Sequence, residues 1–288
     1  MSIPGAERWI NFINELWSKF QNDRVLDGAA VLAFFFVLAV FPAVIFILAL
    51  LPLLAIPHLQ KALMDLLHQV LPQQSARFFQ GAVHSVASEG TEDLLTFGLI
   101  FALWSGSTGL YAVIEQLNII YEVEDRRPLW KARGIAILLM LFIALTIIGS
   151  LSLAILGGVI QSWAASILGW SQPLLIFFAA VRWIILSAAL LLVLAVAYRF
   201  GPDVRVKFRF LSAGNITAAI IIALASVGLQ LYVSTFGNYS ATYGSLAAVI
   251  ILMLWMYMAG IALLVGCEIN ILLHPHKPDP SRPALPAL

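Results

Sequence analysis

FLSAGNITAAIIIALASVGLQLYVSTFGNYSATYGSLAAVIILMLWMYMAGIALLVGC, residues 210–267, contains no Asp, Glu, Lys or Arg. A hydrocarbon core about 30 Å thick is crossed by roughly 20 apolar helical residues. A helix suits that medium because it satisfies its own backbone hydrogen bonds. The stretch is too long for one crossing. Its polar insert, Phe236-Gly-Asn-Tyr-Ser-Ala-Thr-Tyr-Gly-Ser245, divides it into two predicted spans. The fold class follows: an all-α, polytopic membrane protein.

Four further spans are predicted upstream, at residues 29–56, 94–114, 134–160 and 174–198. The first has no charged residue but holds Pro42 and Pro52, which predict a kink. The fourth is interrupted by Arg182. The expected total is six. Composition agrees: of 288 residues 61% are hydrophobic and 11% charged, with a mean hydropathy of +0.96. A soluble domain is nearer one-quarter charged, so an aqueous globular fold is excluded. The net charge of +1 gives no polyelectrolyte character, and no nucleic-acid partner is expected. A single cysteine, Cys267, forbids an internal disulfide.

Lys and Arg in the connecting segments set the orientation. The N-terminal segment has three (Arg8, Lys19, Arg24), the second-to-third link four (Arg126, Arg127, Lys131, Arg133) and the fourth-to-fifth link four (Arg199, Arg205, Lys207, Arg209). The tail adds Lys277 and Arg282, making thirteen, against two (Lys61, Arg77) in the alternate segments. Both termini are therefore expected in the cytoplasm. Trp163, Trp170 and Trp183 fall near the outer ends of the third and fourth spans, where an aromatic belt is expected. The hydrophobic run starts late and is long, which predicts an uncleaved anchor rather than a signal peptide.

Residues 1–28 form a cytoplasmic segment in which Trp9, Ile13, Leu16, Trp17 and Phe20 recur at helical spacing. It reads as an interfacial amphipathic helix or as a helix packed on the protein's own loops. Residues 29–273 make up the membrane domain, with an external amphipathic segment at 57–93. Its two apolar stripes, split by Pro72, should lie on the outer leaflet or dip between the spans. Residues 274–288 carry five prolines and predict a disordered tail.

Polar residues at membrane depth are the candidates for function. Arg182 lies eight residues into its span, roughly 12 Å from the outer end at 1.5 Å per residue. An intramembrane arginine faces a partner or a wet cavity, or its stem snorkels outward. Glu115 and Glu268 stand near inner span ends, with Arg126, Arg127 and Arg199 as expected partners. Ser105-Gly-Ser-Thr-Gly109 permits either a broken helix that exposes backbone to a substrate or close helix packing. Asn238, Tyr239 and Tyr243, in the polar insert, are candidates for an outer vestibule. There is no P-loop, dinucleotide fingerprint, GxSxG or HExxH, and His274 and His276 lack further ligands for a metal. No enzyme activity and no cofactor are expected.

Five stretches stand together: Ala29-Ala-Val-Leu-Ala-Phe-Phe-Phe-Val-Leu-Ala-Val-Phe-Pro42, Tyr121-Glu-Val-Glu-Asp-Arg-Arg-Pro128, Tyr198-Arg-Phe-Gly-Pro202, residues 232–246 and Gly266-Cys-Glu-Ile-Asn270. They resemble signatures of the BrkB/YihY family of bacterial inner-membrane proteins. Where aromatic pairs such as Tyr-Tyr are common in the family's first span, Phe34, Phe35 and Phe36 stand here. The family was long labelled ribonuclease BN, a label generally regarded as a misassignment. The resemblance implies a role in envelope biogenesis and, for some members, export of lipid or lipopolysaccharide precursors. Two functions follow as expectations: a transporter or flippase-like protein for lipid or another anionic amphiphile, or a non-catalytic scaffold for envelope machinery. The substrate-binding candidates are Arg182, Asn238, Tyr239, Tyr243, Glu115, Glu268 and Asn270. Membrane lipids are the expected partners, with a homo-oligomer or an envelope-transport protein as further candidates.

Overall fold

The computed structural model describes residues 4–50, 91–167, 171–204, 206–235 and 245–275. Among them are seven helices and no strand: α1 (Pro4–Asn22), α2 (Val25–Leu50), α3 (Thr91–Ile120), α4 (Leu129–Ile167), α5 (Gln172–Phe200), α6 (Ala213–Thr235) and α7 (Ser245–Leu273). Four stretches of the described residues are long and apolar enough to cross a membrane: Leu129–Ala154, Gln172–Phe200, Ala213–Val233 and Val249–Leu273. Val25–Val40 is a shorter apolar helix. The predicted spans at 134–160 and 174–198 fall inside α4 and α5, and the two halves of the charge-free stretch fall in α6 and α7. The predicted external segment lies outside the described residues up to 90, and α3 already begins at Thr91. The tail from 276 also lies outside them.

Two compact units are present. One comprises Met1–Asp23, Ile114–Ile220 and Ala262–Leu288, the other Arg24–Val113 and Ile221–Ile261. In the second unit small residues set the helix contacts. A Cβ on Gly260 of α7 would stand 3.2 Å from the Cα of Ala29 in α2. A Cβ on Gly109 would meet Phe36 at 3.4 Å. The Ser105–Gly109 stretch does not break its helix. Ser107 and Thr108 donate back to the Trp104 carbonyl at 2.9 and 2.8 Å, and α3 runs through. Close packing is the reading that holds. Trp255 donates its indole N–H to Ser226 Oγ at 3.1 Å, joining α7 to α6.

In the first unit α4 and α5 run antiparallel. Gln161 Nε2 donates to the Leu175 carbonyl at 3.2 Å, and a Cβ on Gly157 would stand 2.8 Å from Arg182 Cδ. α1 presents Trp9, Ile13 and Trp17 outward, 69%, 58% and 62% exposed, as an apolar strip that its own unit leaves open. Its last turn is tied to a loop instead, through Lys19.

Candidate functional site

Three helix ends meet in the first unit. A Cβ on Gly266 of α7 would stand 2.5 Å from the Tyr198 hydroxyl and 2.7 Å from the Gly214 carbonyl oxygen. Only glycine lets α5, α6 and α7 approach so closely. Tyr198 donates its O–H to the Leu263 carbonyl at 2.7 Å. Ser212 caps α6 by accepting the Asn215 backbone N–H at 3.1 Å. Asn215 donates its amide to the carbonyls of Arg209 and Phe210 and accepts from Asn270 at 3.2 Å. Asn270 in turn accepts the Gly214 N–H at 3.0 Å. The buried Asn215 amide and the half-buried Asn270 amide thus hold the joint.

The turn after α3 is built as tightly. The N–H of Val123 returns to the Asn118 carbonyl and that of Glu122 to Ile119, a Schellman closure with Glu122 left-handed at φ 54°. That position usually belongs to glycine. Here its carboxylate meets Lys19 Nζ at 2.9 Å. Burial works against the Lys19 charge, but the bond to Glu122 and nearby carboxylates outweigh it and raise its pKa. Three residues on, Asp125 takes two bonds from the Arg127 guanidinium, at 2.8 and 2.7 Å, and one from its backbone N–H at 2.9 Å. Arg127 reaches on to the Gly201 carbonyl at 3.0 Å. Asn118 bridges Asp125 to the Asp203 N–H, and Arg126 N–H also turns to Asp203. Burial pushes the Asp125 carboxyl up, but the Arg127 bonds prevail and hold it below the usual range.

Beside the joint lies a half-open cleft. Arg199, Lys207, Arg209 and His274 supply cationic or ionisable walls, and Tyr121, Tyr198, Ser212, Asn215 and Asn270 supply hydroxyls and amides. Among the described residues no carboxylate lines it. Arg209 contacts His274 across it. Arg199 lies over the Phe200 ring, 5.2 Å from the centroid. Burial, with Cys267 nearby, pushes the Tyr121 phenol far up, so it stays a neutral donor. The arrangement can bind an anion. Among the described residues no group of three His, Cys, Asp or Glu side chains is placed to hold a metal ion.

The sequence-predicted candidates do not gather in one place. Asn270 lines the cleft. Glu268, two residues before it, is completely buried, and neither carboxyl oxygen has a hydrogen-bond partner. That corrects the expected pairing with loop arginines: Arg127 is committed to Asp125, and Glu268 faces another acid, Asp23. Glu115 is exposed and outside the cleft lining. Arg182 is half-buried, its stem against Gly157 and its Nη1 3.4 Å from where a Gly158 Cβ would stand. Asn238, Tyr239 and Tyr243 lie outside the described residues. Sequence reasoning missed Lys207, Arg209, Ser212 and Asn215 as site residues. The available signal was that Tyr121, Tyr198 and Asn270 each sit in a separate family-like motif, and these motifs converge on the cleft.

Comparison with known proteins assigns the chain. The family model described as "Virulence factor BrkB" matches residues 16–286. The chain is 35% identical over 271 residues to a "Putative ribonuclease-like protein YfkH" of Bacillus subtilis (strain 168), covering 94% of this chain and 98% of that one. It is 28% identical to the "UPF0761 membrane protein Smlt0865" of Stenotrophomonas maltophilia (strain K279a), covering 91% of this chain and 61% of that one. A UPF0761 membrane protein of Delftia acidovorans is 26% identical, with 62% of its length covered. The chain thus spans almost all of the Bacillus protein but about three-fifths of the UPF0761 proteins. No solved structure matches. With the family model spanning nearly its whole length, this all-helical chain belongs to the BrkB family of membrane proteins.

Proposed function

We propose that the chain is a six-span protein of the bacterial inner membrane that moves a lipid or another anionic amphiphile during envelope biogenesis. The cleft carries this reading. Among the described residues Arg199, Lys207 and Arg209 and no carboxylate line it, over hydroxyls and amides, at the ends of three helices of which each contains a candidate span. Arginine suits a phosphate head group because its planar fork donates parallel bonds and stays charged. Acyl chains would remain in lipid along apolar faces such as Ile216, Ile220 and Leu224 of α6, all exposed.

Contacts among the four segments rich in Lys and Arg support termini on one side. Lys19 of the N-terminal segment meets Glu122, Arg126 meets Asp203, and Arg209 meets His274 before the tail. Segments so joined share a side of the membrane, which requires an even number of crossings between each pair. The Lys and Arg excess makes that side cytoplasmic. Arg182, on the outward part of α5, together with Asn238, Tyr239 and Tyr243, forms the proposed outer station for the same head group.

Native mass spectrometry of the full chain in detergent tests the cleft. Phosphatidylglycerol should be retained over phosphatidylcholine, and Lys207→Gln with Arg209→Gln should abolish the preference. Equal retention of both lipids by the unaltered chain would remove the anion site and leave the scaffold function in its place.

A further inference from the structure

Glu268 of α7 is 0% exposed, and both its carboxyl oxygens lack a hydrogen-bond partner. Its neighbour is Asp23, just past the end of α1, whose Oδ2 is likewise buried and unpartnered. Two ionised carboxylates offer only acceptors, so no bond can form between them. They also repel, the more so away from water. The other charged and titratable groups facing the pair do not relieve it. Lys19 attracts both acids, but its ammonium is bonded to Glu122 and leaves the three oxygens unpartnered, while the Cys267 thiol is buried, with Tyr121 and Tyr198 beyond it.

The three orphan oxygens need a donor or a cation between the two acids. A hard metal cation takes about six oxygens. The pair offers three orphan oxygens, and no group of three acidic, His or Cys side chains among the described residues is placed to hold a metal. One proton suffices. Bound to either carboxylate it makes a carboxylic acid, whose O–H donates to the other carboxylate. The pair then carries a single negative charge and a charge-assisted bond.

We propose that Asp23 and Glu268 form a proton-binding site in which one proton is shared between the buried Glu268 carboxyl and the buried Oδ2 of Asp23. The proton fastens the end of α1 to α7. Its release leaves two desolvated negative charges in contact, which drives that end of α1 away from α7. Proton occupancy thereby sets whether the N-terminal helix is docked. This does not depend on what the cleft binds.

Infrared spectroscopy of the full chain in lipid nanodiscs tests it. At neutral pH the unaltered protein should show the C=O stretch of a protonated carboxylic acid, and that band should disappear in both Glu268→Gln and Asp23→Asn. Each variant amide supplies the hydrogen that the proton supplied, so both should fold. In the two variants thermal denaturation should lose the part of its alkaline pH dependence that the pair supplies and keep the part due to Lys19. A neutral-pH spectrum of the unaltered protein without the acid band would overturn the proposal. So would a band that survives both substitutions. Stabilisation by sodium at constant ionic strength, with no acid band, would replace the proton by a metal cation and overturn it as well.

Discussion

A Cβ on Gly214 would stand 2.0 Å from the carbonyl oxygen of Gly266, so α6 and α7 touch backbone to backbone. Side-chain adjustment cannot relieve such a clash, because the obstacle is main chain. Gly214→Ala should therefore destabilise the protein by about 3 kcal/mol or more, beyond the ordinary range for overpacking. Gly134→Ala, where nothing lies within 4 Å, should be neutral or gain up to about 1 kcal/mol from helix propensity. Thermal unfolding in detergent separates the two. Equal melting of both variants would mean that the helices do not meet at Gly214.

Glu122 offers a comparison of backbone strain with an ion pair. A left-handed non-glycine residue costs about 1–2 kcal/mol, and a partly exposed pair such as Lys19–Glu122 contributes at most about 1 kcal/mol. Glu122→Ala loses the pair and keeps the strain, whereas Glu122→Gly loses both. The glycine variant should be the more stable of the two by about 1 kcal/mol. An alanine variant as stable as the glycine one would show that this turn is not left-handed in solution.

What the sequence made legible divides along the same line. Helix type and the placing of α4 to α7 follow from apolar length, a local property summed over twenty residues. The helical spacing of Trp9, Ile13 and Trp17 likewise fixed α1 and its apolar strip. The site was less legible because it is made by long-range pairs. Nothing local in Asp23 points to Glu268, and nothing in Asn118 points to Asp203. Arg182 attracted attention as a charge in an apolar run, yet its stem packs on Gly157 inside the α4–α5 hairpin. The basic loop residues were legible as topology signals and hid their second use as walls of a cleft.

Asp125 gives the acid limb of stability a specific cause. Its pKa is held below the usual carboxylate value in the folded chain, so its contribution is fully present above the unfolded value of about 4. That contribution is lost as pH falls through the folded value. Lys19 has the opposite sign: its pKa is raised, so its contribution is present below the unfolded value of about 10.4 and lost as pH rises through the folded one. Asp125→Asn should flatten the acid limb of a melting-temperature profile, and Lys19→Gln the alkaline limb. An acid limb unchanged in Asp125→Asn would remove the Arg127 bridge as its cause.

Membrane sidedness is open to cysteine labelling, and the native thiol does not interfere because Cys267 is fully buried. Asn238→Cys should react with an impermeant maleimide added to intact spheroplasts. Ser281→Cys should react only after lysis. The reverse pattern would invert the topology, and reaction of both from outside would mean that α7 does not carry the chain across the membrane.

Translocation is the central claim, and lipid movement in reconstituted vesicles tests it most directly. Vesicles holding the full chain and a trace of fluorescent phosphatidylglycerol are treated with an impermeant quencher, and the protected fraction is followed over time. The protein should abolish protection of the inner-leaflet pool, phosphatidylcholine should move more slowly, and Arg199→Gln should reduce the rate at least tenfold at equal protein content. A protected fraction in the protein-containing vesicles equal to that in protein-free vesicles would contradict transport.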